Sequence, residues 1–288
     1  MLTRIGLFML WLVHFLKPVT IARIGEALGG LLYRSGRGRI TKINLRLCFP
    51  ELTDAERARL ALRHFRALGR SALEQCILWY GSKAQLRDMI ALIGREHLDA
   101  LIGKPVILLA PHFLGLDFGG ARIGMEWYCC SMYSQQKNPV LNEVLLAARQ
   151  RWGDPPLVTR QQGLRPLVRY IRDGLPFYYL PDMDFGERES IFMPFFGIPT
   201  ATVPALSRLA RITGARVIPC ITRQLSPEDG YEVRLYPAWE NFPGASVEED
   251  TRRMNIFIEE RAREIPEQYF WVHKRFKTRP PGEPNFYE

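Results

Sequence analysis

Short apolar runs rich in β-branched and aromatic residues alternate with helical patterns along most of this 288-residue chain. The runs predict strands at residues 106–110, 127–133, 157–159, 177–180, 217–222 and 231–236. Apolar residues at helical spacing predict helices at residues 54–80, 116–124, 140–152, 164–172, 203–213 and 247–265. This alternation is typical of parallel strands joined by helical crossovers. We therefore predict an α/β fold with a mixed, largely parallel central sheet flanked by helices.

The N-terminus has the pattern of a membrane contact. Residues 5–16 form an apolar run of 12 residues that ends at Lys17-Pro18, shorter than the roughly 20 residues of a spanning helix. No small-residue cleavage site follows, which argues against a removable signal peptide. A second apolar stretch reaches Tyr33, and the first 50 residues hold eight basic residues and one acidic residue. Cations flanking an apolar helix suit an anionic bilayer surface.

We predict a membrane-anchoring segment at residues 1–35, containing an apolar membrane-associated helix, and one catalytic domain at residues 36–288. The pattern leaves open whether the segment spans the bilayer or lies on it. The alternative is an N-terminal helix buried in the domain.

The distribution of charge and the pattern of cysteines argue against a nucleic-acid-binding protein and against a disulfide framework. Seven of the nine net positive charges lie within the first 50 residues, so no basic surface extends over the whole chain and nucleic-acid binding is not expected. The five cysteines are odd in number, lack CxxC spacing and lie in apolar contexts. They are predicted to be reduced core residues of a protein on the cytosolic side. The helix at residues 54–80 also carries a basic stripe: Arg59, Arg63, Arg66 and Arg70.

Ligands of parallel sheets bind beyond the carboxyl ends of the strands. The loop after residue 110 holds His112 and Asp117. If the strand ends at His112 and a helix begins near residue 114, Asp117 can fold back towards the imidazole. A histidine oriented by a carboxylate is a general base for a hydroxyl nucleophile. The alternative is a histidine that ends a strand and an aspartate that caps a helix.

The loop after residue 180 holds Asp182 and Asp184. These acids either bind a divalent metal together with His112 and Asp117 or brace a turn that ends at Gly186. Arg149 and Arg160 could pair with a phosphate or carboxylate in the cleft, or lie on an ordinary surface. The chain contains no GxGxxG, GxxxxGK[ST], GxSxG or HExxH motif. Nucleotide-driven chemistry, serine hydrolysis and zinc proteolysis therefore lose support.

The His112 loop, spaced as His-x4-Asp, is one of several motifs that occur in the same order in a known family. The others lie at residues 43–50, 132–138, 180–184, 195–197, 201–202, 217–219, 267–271 and 273–280. The chain resembles the lipid A late acyltransferases, the lauroyl and myristoyl transferases of Gram-negative bacteria. These enzymes belong to the glycerophospholipid acyltransferase superfamily. Many members have Glu where this chain has Asp117.

The resemblance implies transfer of a lauroyl- or myristoyl-like chain from acyl carrier protein to a hydroxyacyl group of a Kdo-lipid IVA-type precursor. His112 is then the general base and Asp117 its orienter, with no cofactor, metal or acyl-enzyme. It implies attachment to the cell inner membrane, with the catalytic domain on the cytoplasmic side. The substrate contacts implied are Arg149, Arg160, Asp182, Asp184, Lys137 and Asn138.

The acidic carrier protein and the phosphorylated precursor are two natural partners for the arginine stripe, which is otherwise a solvated helix face. Three other functions stay open. The first is an acyltransferase of the same superfamily acting on a lysophospholipid or an ornithine-type lipid. The second is a metal-dependent hydrolase, and the third is a non-catalytic membrane-bound lipid-binding protein.

Overall fold

The computed structural model describes residues 2–288, so Met1, the first residue of the predicted anchoring segment, lies outside the described residues. The helices are α1 (Leu2–Val13), α2 (Pro18–Leu32), α3 (Gly36–Cys48), α4 (Asp54–Tyr80), α5 (Lys83–Met89), α6 (Arg95–Asp99), α7 (Leu116–Glu126), α8 (Pro139–Gln150), α9 (Arg165–Arg172), α10 (Ala205–Thr213) and α11 (Val247–Glu264). The strands are β1 (Ile90–Ile93), β2 (Val106–Leu109), β3 (Cys130–Tyr133), β4 (Leu157–Thr159), β5 (Phe177–Tyr179), β6 (Ile191–Phe195), β7 (Ile198–Thr202), β8 (Arg216–Gln224) and β9 (Tyr231–Leu235).

β2 lies at the centre of a seven-stranded sheet with the strand order β1-β9-β8-β2-β5-β3-β4. All neighbouring strands in it pair in parallel except β8 and β9. The predicted mixed, largely parallel sheet is therefore confirmed. The six predicted strands and six predicted helices are all present, with ends shifted by a few residues.

Successive side chains of β2 enter two separate cores because side chains alternate across a strand. Ile107 and Leu109 belong to a buried cluster with residues of α9, α10 and α11. Val106 and Leu108 belong to a second cluster with residues of α5 and α7. The sheet is thus covered by helices on both faces, and the ends of its central strands are left for a site.

Sequence analysis missed β1 and the two-stranded hairpin of β6 and β7. β1 is only four residues long and follows α5 directly, without a turn signal. β6 contains Pro194, and proline within a run argues against a strand. The hairpin tolerates this proline because β6 and β7 form a sheet of their own, joined by Phe196 and Gly197, both with positive φ.

The N-terminal segment forms two short helices that are separated at Lys17-Pro18. Pro18 opens α2, where its fixed φ and missing N–H suit the first helical turn. No helix within residues 2–288 combines the length and the apolar character needed to cross a membrane. The exposed large apolar side chains of α1, α2 and their connection are Ile5, Phe8, Met9, Trp11, Leu12, Phe15, Leu16, Ile24, Leu28, Leu31 and Leu32.

α2 and α4 are packed backbone to backbone at glycines. A Cβ on Gly29 would lie 2.0 Å from the carbonyl oxygen of Phe65, and a Cβ on Gly69 would lie 2.3 Å from the carbonyl oxygen of Gly25. At the neighbouring Gly30 the nearest atom would be Nε of Arg66, at an ordinary 3.8 Å. Helix packing therefore requires glycine at position 29 and not at position 30.

This contrast gives a stability prediction. Gly29→Ala is expected to lower the free energy of unfolding by about 2–4 kcal/mol, because the backbones of α2 and α4 must separate. Gly30→Ala is expected to be neutral or to stabilise by up to about 1 kcal/mol through helix propensity. Urea unfolding of both variants in the same mild detergent, followed by circular dichroism, measures the difference. Equal effects of the two substitutions would contradict the packing described here.

The predicted basic stripe is only partly correct. Arg59, Arg63 and Arg66 are exposed, but Arg70 is buried and its Nε lies 3.2 Å from both carboxylate oxygens of Glu74. The Arg70 guanidinium also donates to the backbone carbonyls of the turn between β8 and β9. Helical spacing does not reveal this role, since the partners lie more than 150 residues away. All five cysteines are buried and free, as predicted.

Candidate active site

The C-terminal ends of β2 and β5 bring His112 and Asp182 together. The two strands pair in parallel with Leu109 opposite Tyr179, so the loops that follow them leave the same edge of the sheet. Nδ1 of His112 lies 2.7 Å from Oδ1 of Asp182. The backbone N–H of His112 also donates to both carboxylate oxygens of Asp182, at 3.1 Å. One buried carboxylate therefore holds both the imidazole and its loop.

Asp182 is charged despite its burial. Only 2% of the residue is exposed, and burial by itself raises the pKa of a carboxyl group. The charge and hydrogen bond of His112 outweigh burial, with help from the Tyr269 hydroxyl and from Arg275. As a result, the pKa of Asp182 lies below its ordinary value. At neutral pH Asp182 is an acceptor, which requires a proton on Nδ1 of His112.

The contact with Asp182 determines which imidazole nitrogen of His112 can accept a proton. With its proton on Nδ1, a neutral imidazole presents its lone pair at Nε2. Within residues 2–288, no side chain or backbone group hydrogen bonds to Nε2 of His112. The His112 side chain is 21% exposed, so a substrate hydroxyl can reach it. The geometry is that of a general base with an orienting carboxylate.

The segment that follows α11 supports the His112 loop. The backbone N–H of Leu114 donates to the carbonyl of Gln268 at 2.9 Å, and the N–H of Phe270 donates to the carbonyl of His112 at 3.0 Å. Tyr269, between these two partners, is the residue whose hydroxyl faces Asp182. The loop is thus fixed from the sheet and from the C-terminal segment.

Sequence analysis gave neither Tyr269 nor Arg275 a place at the site. Arg275 is buried and donates to the carbonyl of Ala201 and the hydroxyl of Thr202, in β7. Both residues lie within the motifs at 267–280, which served only to indicate the family. The available signal was an arginine and a tyrosine within so specific a segment. Only the fold shows that both are buried and that they surround Asp182.

The expected pairing of Asp117 with His112 is not found in the described residues. Asp117 lies in the first turn of α7, and its side chain is 50% exposed. Its carboxylate accepts from Nε2 of Gln75 at 3.1 Å, and Nη2 of Arg149 lies 3.8 Å away. α7 directs Asp117 towards α4 and α8. The carboxylate at the imidazole is instead Asp182, which sequence analysis had considered for metal binding or substrate positioning.

An apolar pocket of about 130 Å³ lies beside Asp117 and Arg149. Its walls come from α4, α7, α8, β3, β4 and β5 and from residues next to these elements. Apolar residues that line it include Leu78, Leu116, Ile123, Met132, Leu145 and Leu180. Leu180 precedes Asp182 by two residues, so the pocket reaches the loop that carries the orienting carboxylate.

Asp184 braces the turn that ends at Gly186, one of the two alternatives for this loop. Its carboxylate accepts from the backbone N–H of Gly186 at 2.9 Å and from the N–H and hydroxyl of Thr278 at 2.8 Å. Its own N–H donates to Nε2 of His273 at 3.0 Å. Burial, followed by the charge of Arg275, lowers the pKa of His273 to about 4, so this imidazole is a neutral acceptor.

The remaining predicted residues lie apart from the imidazole contacts. Arg160 stacks over the ring of Phe185 at 4.0 Å, and its Nη2 lies 3.4 Å from a carboxylate oxygen of Glu189. Asn138 caps α8 by accepting from the N–H of Leu141 at 3.2 Å. Lys137 is exposed. The substrate contacts assigned to these residues stay predictions.

The metal-dependent alternative needs a cluster of donor side chains around one ion. In the described part of the chain, no three His, Cys, Asp or Glu side chains converge as a metal ion would require. Asp182 is engaged by His112, and Asp184 by the turn and Thr278. The arrangement provides a histidine paired with a buried carboxylate and a neighbouring apolar pocket.

Comparison with known proteins decides the family. The model of the bacterial lipid A biosynthesis acyltransferase family matches residues 1–278. The chain belongs to this family. The family predicted from the sequence motifs is therefore confirmed, and the protein is an acyltransferase.

Curated relatives match over nearly the full length of both chains. The lipid A biosynthesis lauroyltransferase of Escherichia coli is 32% identical, with 99% of this chain and 94% of the relative covered. The lipid A biosynthesis myristoyltransferase of the same organism is also 32% identical, with coverage of 93% and 83%. Its lipid A biosynthesis palmitoleoyltransferase is 29% identical, with coverage of 99% and 94%. These relatives are named for three different acyl groups, so membership in the family leaves the acyl chain of this enzyme undefined.

Proposed function

We propose that this acyltransferase moves a lauroyl- or myristoyl-like chain from acyl carrier protein to a hydroxyacyl group of a Kdo-lipid IVA-type lipid A precursor. The observation that carries the proposal is the His112–Asp182 pair, with a free Nε2. The adjoining apolar pocket and the family of the chain support it.

In the proposed step, Nε2 of His112 takes the proton of the acceptor hydroxyl as its oxygen attacks the thioester carbonyl carbon. Asp182 stabilises the imidazolium that forms, as a buried carboxylate at Nδ1 does in other base–orienter pairs. The tetrahedral intermediate collapses, the carbon–sulfur bond breaks, and the thiolate receives the proton from Nε2. One ester forms, one thioester breaks, and the enzyme returns to its starting state.

The surroundings of the pair complete the proposed site. The pocket takes the fatty chain, since each buried methylene contributes about 0.8 kcal/mol. Arg149, which lines the pocket, supplies positive charge for the developing oxyanion. Arg160 follows β4 on the same edge of the sheet, and in this proposal it binds a phosphate of the precursor. The exposed Arg59, Arg63 and Arg66 offer an acidic carrier protein a complementary surface.

The test is an assay of the purified enzyme in detergent, with acyl carrier protein thioesters as donors. A Kdo-bearing tetraacyl lipid A precursor, a lysophospholipid and an ornithine-type lipid serve as acceptors, with and without chelator. We expect transfer to the Kdo-bearing precursor at a rate that chelator does not change. Transfer only to another acceptor would overturn the lipid A assignment, and loss of activity with chelator would overturn the metal-free mechanism.

We also propose that α1 and α2 lie on the cytoplasmic face of the inner membrane. The exposed apolar side chains of these helices are accompanied by exposed cations, including Arg4, Lys17 and Arg23. Such a surface places apolar groups among the acyl chains and cations near anionic headgroups. This position would bring the pocket, whose wall α8 contacts α1, close to a membrane-bound acceptor.

Membrane attachment is tested with two substitutions in α1 and the connection that follows it. Phe8→Ser with Phe15→Ser removes rings that are 55% and 66% exposed, and is expected to lower partitioning into phosphatidylglycerol-containing vesicles by at least about tenfold. Vesicle flotation measures this. The matched control is Ile212→Ser in α10, which is 54% exposed and far along the chain. Equal flotation of the double variant and the wild type would contradict the proposed attachment.

A further inference from the structure

One face of α7 borders the apolar pocket with short side chains or none, next to the larger Leu116 and Ile123 of the same helix, which also line it. Asp117, Gly120, Ala121 and Gly124 all line the pocket. Their spacing of three and four residues places them on a single helical face. Asp117 stands at the polar end of this face beside Arg149. Gly124 lies seven residues further, about 10 Å along the helix axis.

Packing explains one glycine of α7 and leaves another unexplained. A Cβ on Gly119 would lie 2.0 Å from the hydroxyl oxygen of Thr222, so the sheet requires glycine there. A Cβ on Gly120 would make ordinary contact with the ring of Tyr178 at 3.5 Å, and a Cβ on Gly124 would have no atom of residues 2–288 within 4 Å. Gly124 is within a regular helix, where glycine is less favourable than alanine. What glycine supplies at this position is therefore space in the pocket.

We infer that Gly124 determines the length of the acyl chain that the enzyme accepts. The inference rests on the proposed function of the pocket as the site of the fatty chain. The thioester end of the donor lies at the Asp117 end of α7, and the chain follows the small-residue face towards Gly124. The ligand is an unbranched acyl group long enough to pass Gly120 and reach position 124. A side chain at position 124 would occupy the space of the terminal methylenes.

The test compares Gly124→Ala and Gly124→Leu with the wild type in kcat/KM for saturated acyl carrier protein thioesters from octanoyl to palmitoyl. A leucine that excludes two methylenes costs the longer chains about 1.6 kcal/mol, or roughly tenfold. We therefore expect the ratio of kcat/KM for octanoyl over myristoyl to rise about tenfold in Gly124→Leu and less in Gly124→Ala. The matched control is Gly36→Leu in α3, where a Cβ also meets no atom of the described residues within 4 Å. It should leave the ratio unchanged.

A second measurement separates this inference from the proposed acceptor. Displacement of a fluorescent fatty acid by fatty acids of graded length reports the pocket without any transfer reaction. If the wild type transfers to none of the acceptors but Gly124→Leu still shifts binding towards shorter chains, the length inference stands and the proposed function fails. If transfer proceeds and neither the kinetic ratio nor the binding series shifts, the inference is overturned. A uniform loss for all chain lengths would also overturn it, since it would place Gly124 at the entrance.

Discussion

Asp182→Asn is expected to lower kcat by about 10³–10⁴, with the KM for the acyl donor little changed. The carboxylate of Asp182 keeps the proton of His112 on Nδ1, at a contact of 2.7 Å. An asparagine amide can donate to Nδ1 instead, which would place the proton on Nε2 and remove the base. In serine proteases the same change of the orienting aspartate costs about 10⁴ in kcat. Steady-state kinetics of transfer to the precursor measures the loss.

Asp117→Asn is the matched control, because it makes the same chemical change at the residue that the sequence motif favoured as orienter. In the structure Asp117 contacts Gln75 and Arg149. Its substitution should therefore act on the pocket and the donor rather than on the tautomer of His112. If Asp117→Asn lost as much kcat as expected for Asp182→Asn while Asp182→Asn remained active, Asp182 would not be the orienting carboxylate.

The pH dependence of kcat is expected to distinguish the role of Asp182 from that of Asp117. The pKa of Asp182 lies below its ordinary value, so its charge persists as the pH falls towards the range in which free imidazole protonates. A loss of kcat on the acid side of neutral pH should then not come from protonation of Asp182. Asp182 contacts the imidazole and Asp117 contacts Gln75, so the pH profile of kcat should change in Asp182→Asn and keep its shape in Asp117→Asn.

His112→Ala is expected to reduce kcat by about 10³, within the 10²–10⁴ that a general base contributes. The His112 side chain is partly exposed, and its ring is paired through Nδ1 with the buried carboxylate of Asp182. Secondary structure by circular dichroism should be retained, because the backbone of the loop is held by Asp182 and Phe270. His97→Ala, at a partly exposed histidine of α6, is the matched control and should retain wild-type kcat.

Each alternative function gives a different result for His112→Ala. Full retention of transfer would contradict the proposed base. A non-catalytic lipid-binding protein would show no transfer in the wild type either. A metal-dependent hydrolase would release free fatty acid from the thioester and lose this activity with chelator. The acyltransferase instead yields an acylated acceptor in proportion to the thiol released.

Local patterns determined the elements of this protein because the periodicity of side chains differs between strands and helices. The six predicted strands and six predicted helices needed only neighbouring residues for their assignment. The position of His112 directly after a buried strand followed in the same way, and the motifs were specific enough to identify the family. The break between α1 and α2 lies at Lys17-Pro18, where the apolar run ends in the sequence, although the sequence left open whether the segment spans the bilayer.

The tertiary structure decided which residues share the site. Asp182 is 70 residues from His112, and only the parallel pairing of β2 with β5 brings the two loops to one edge of the sheet. Tyr269 and Arg275 join them from beyond α11 for the same reason. The burial of Arg70 and the open space at Gly124 likewise depend on partners distant in the chain. Sequence spacing determines local geometry, whereas strand order and packing between elements determine which distant residues meet.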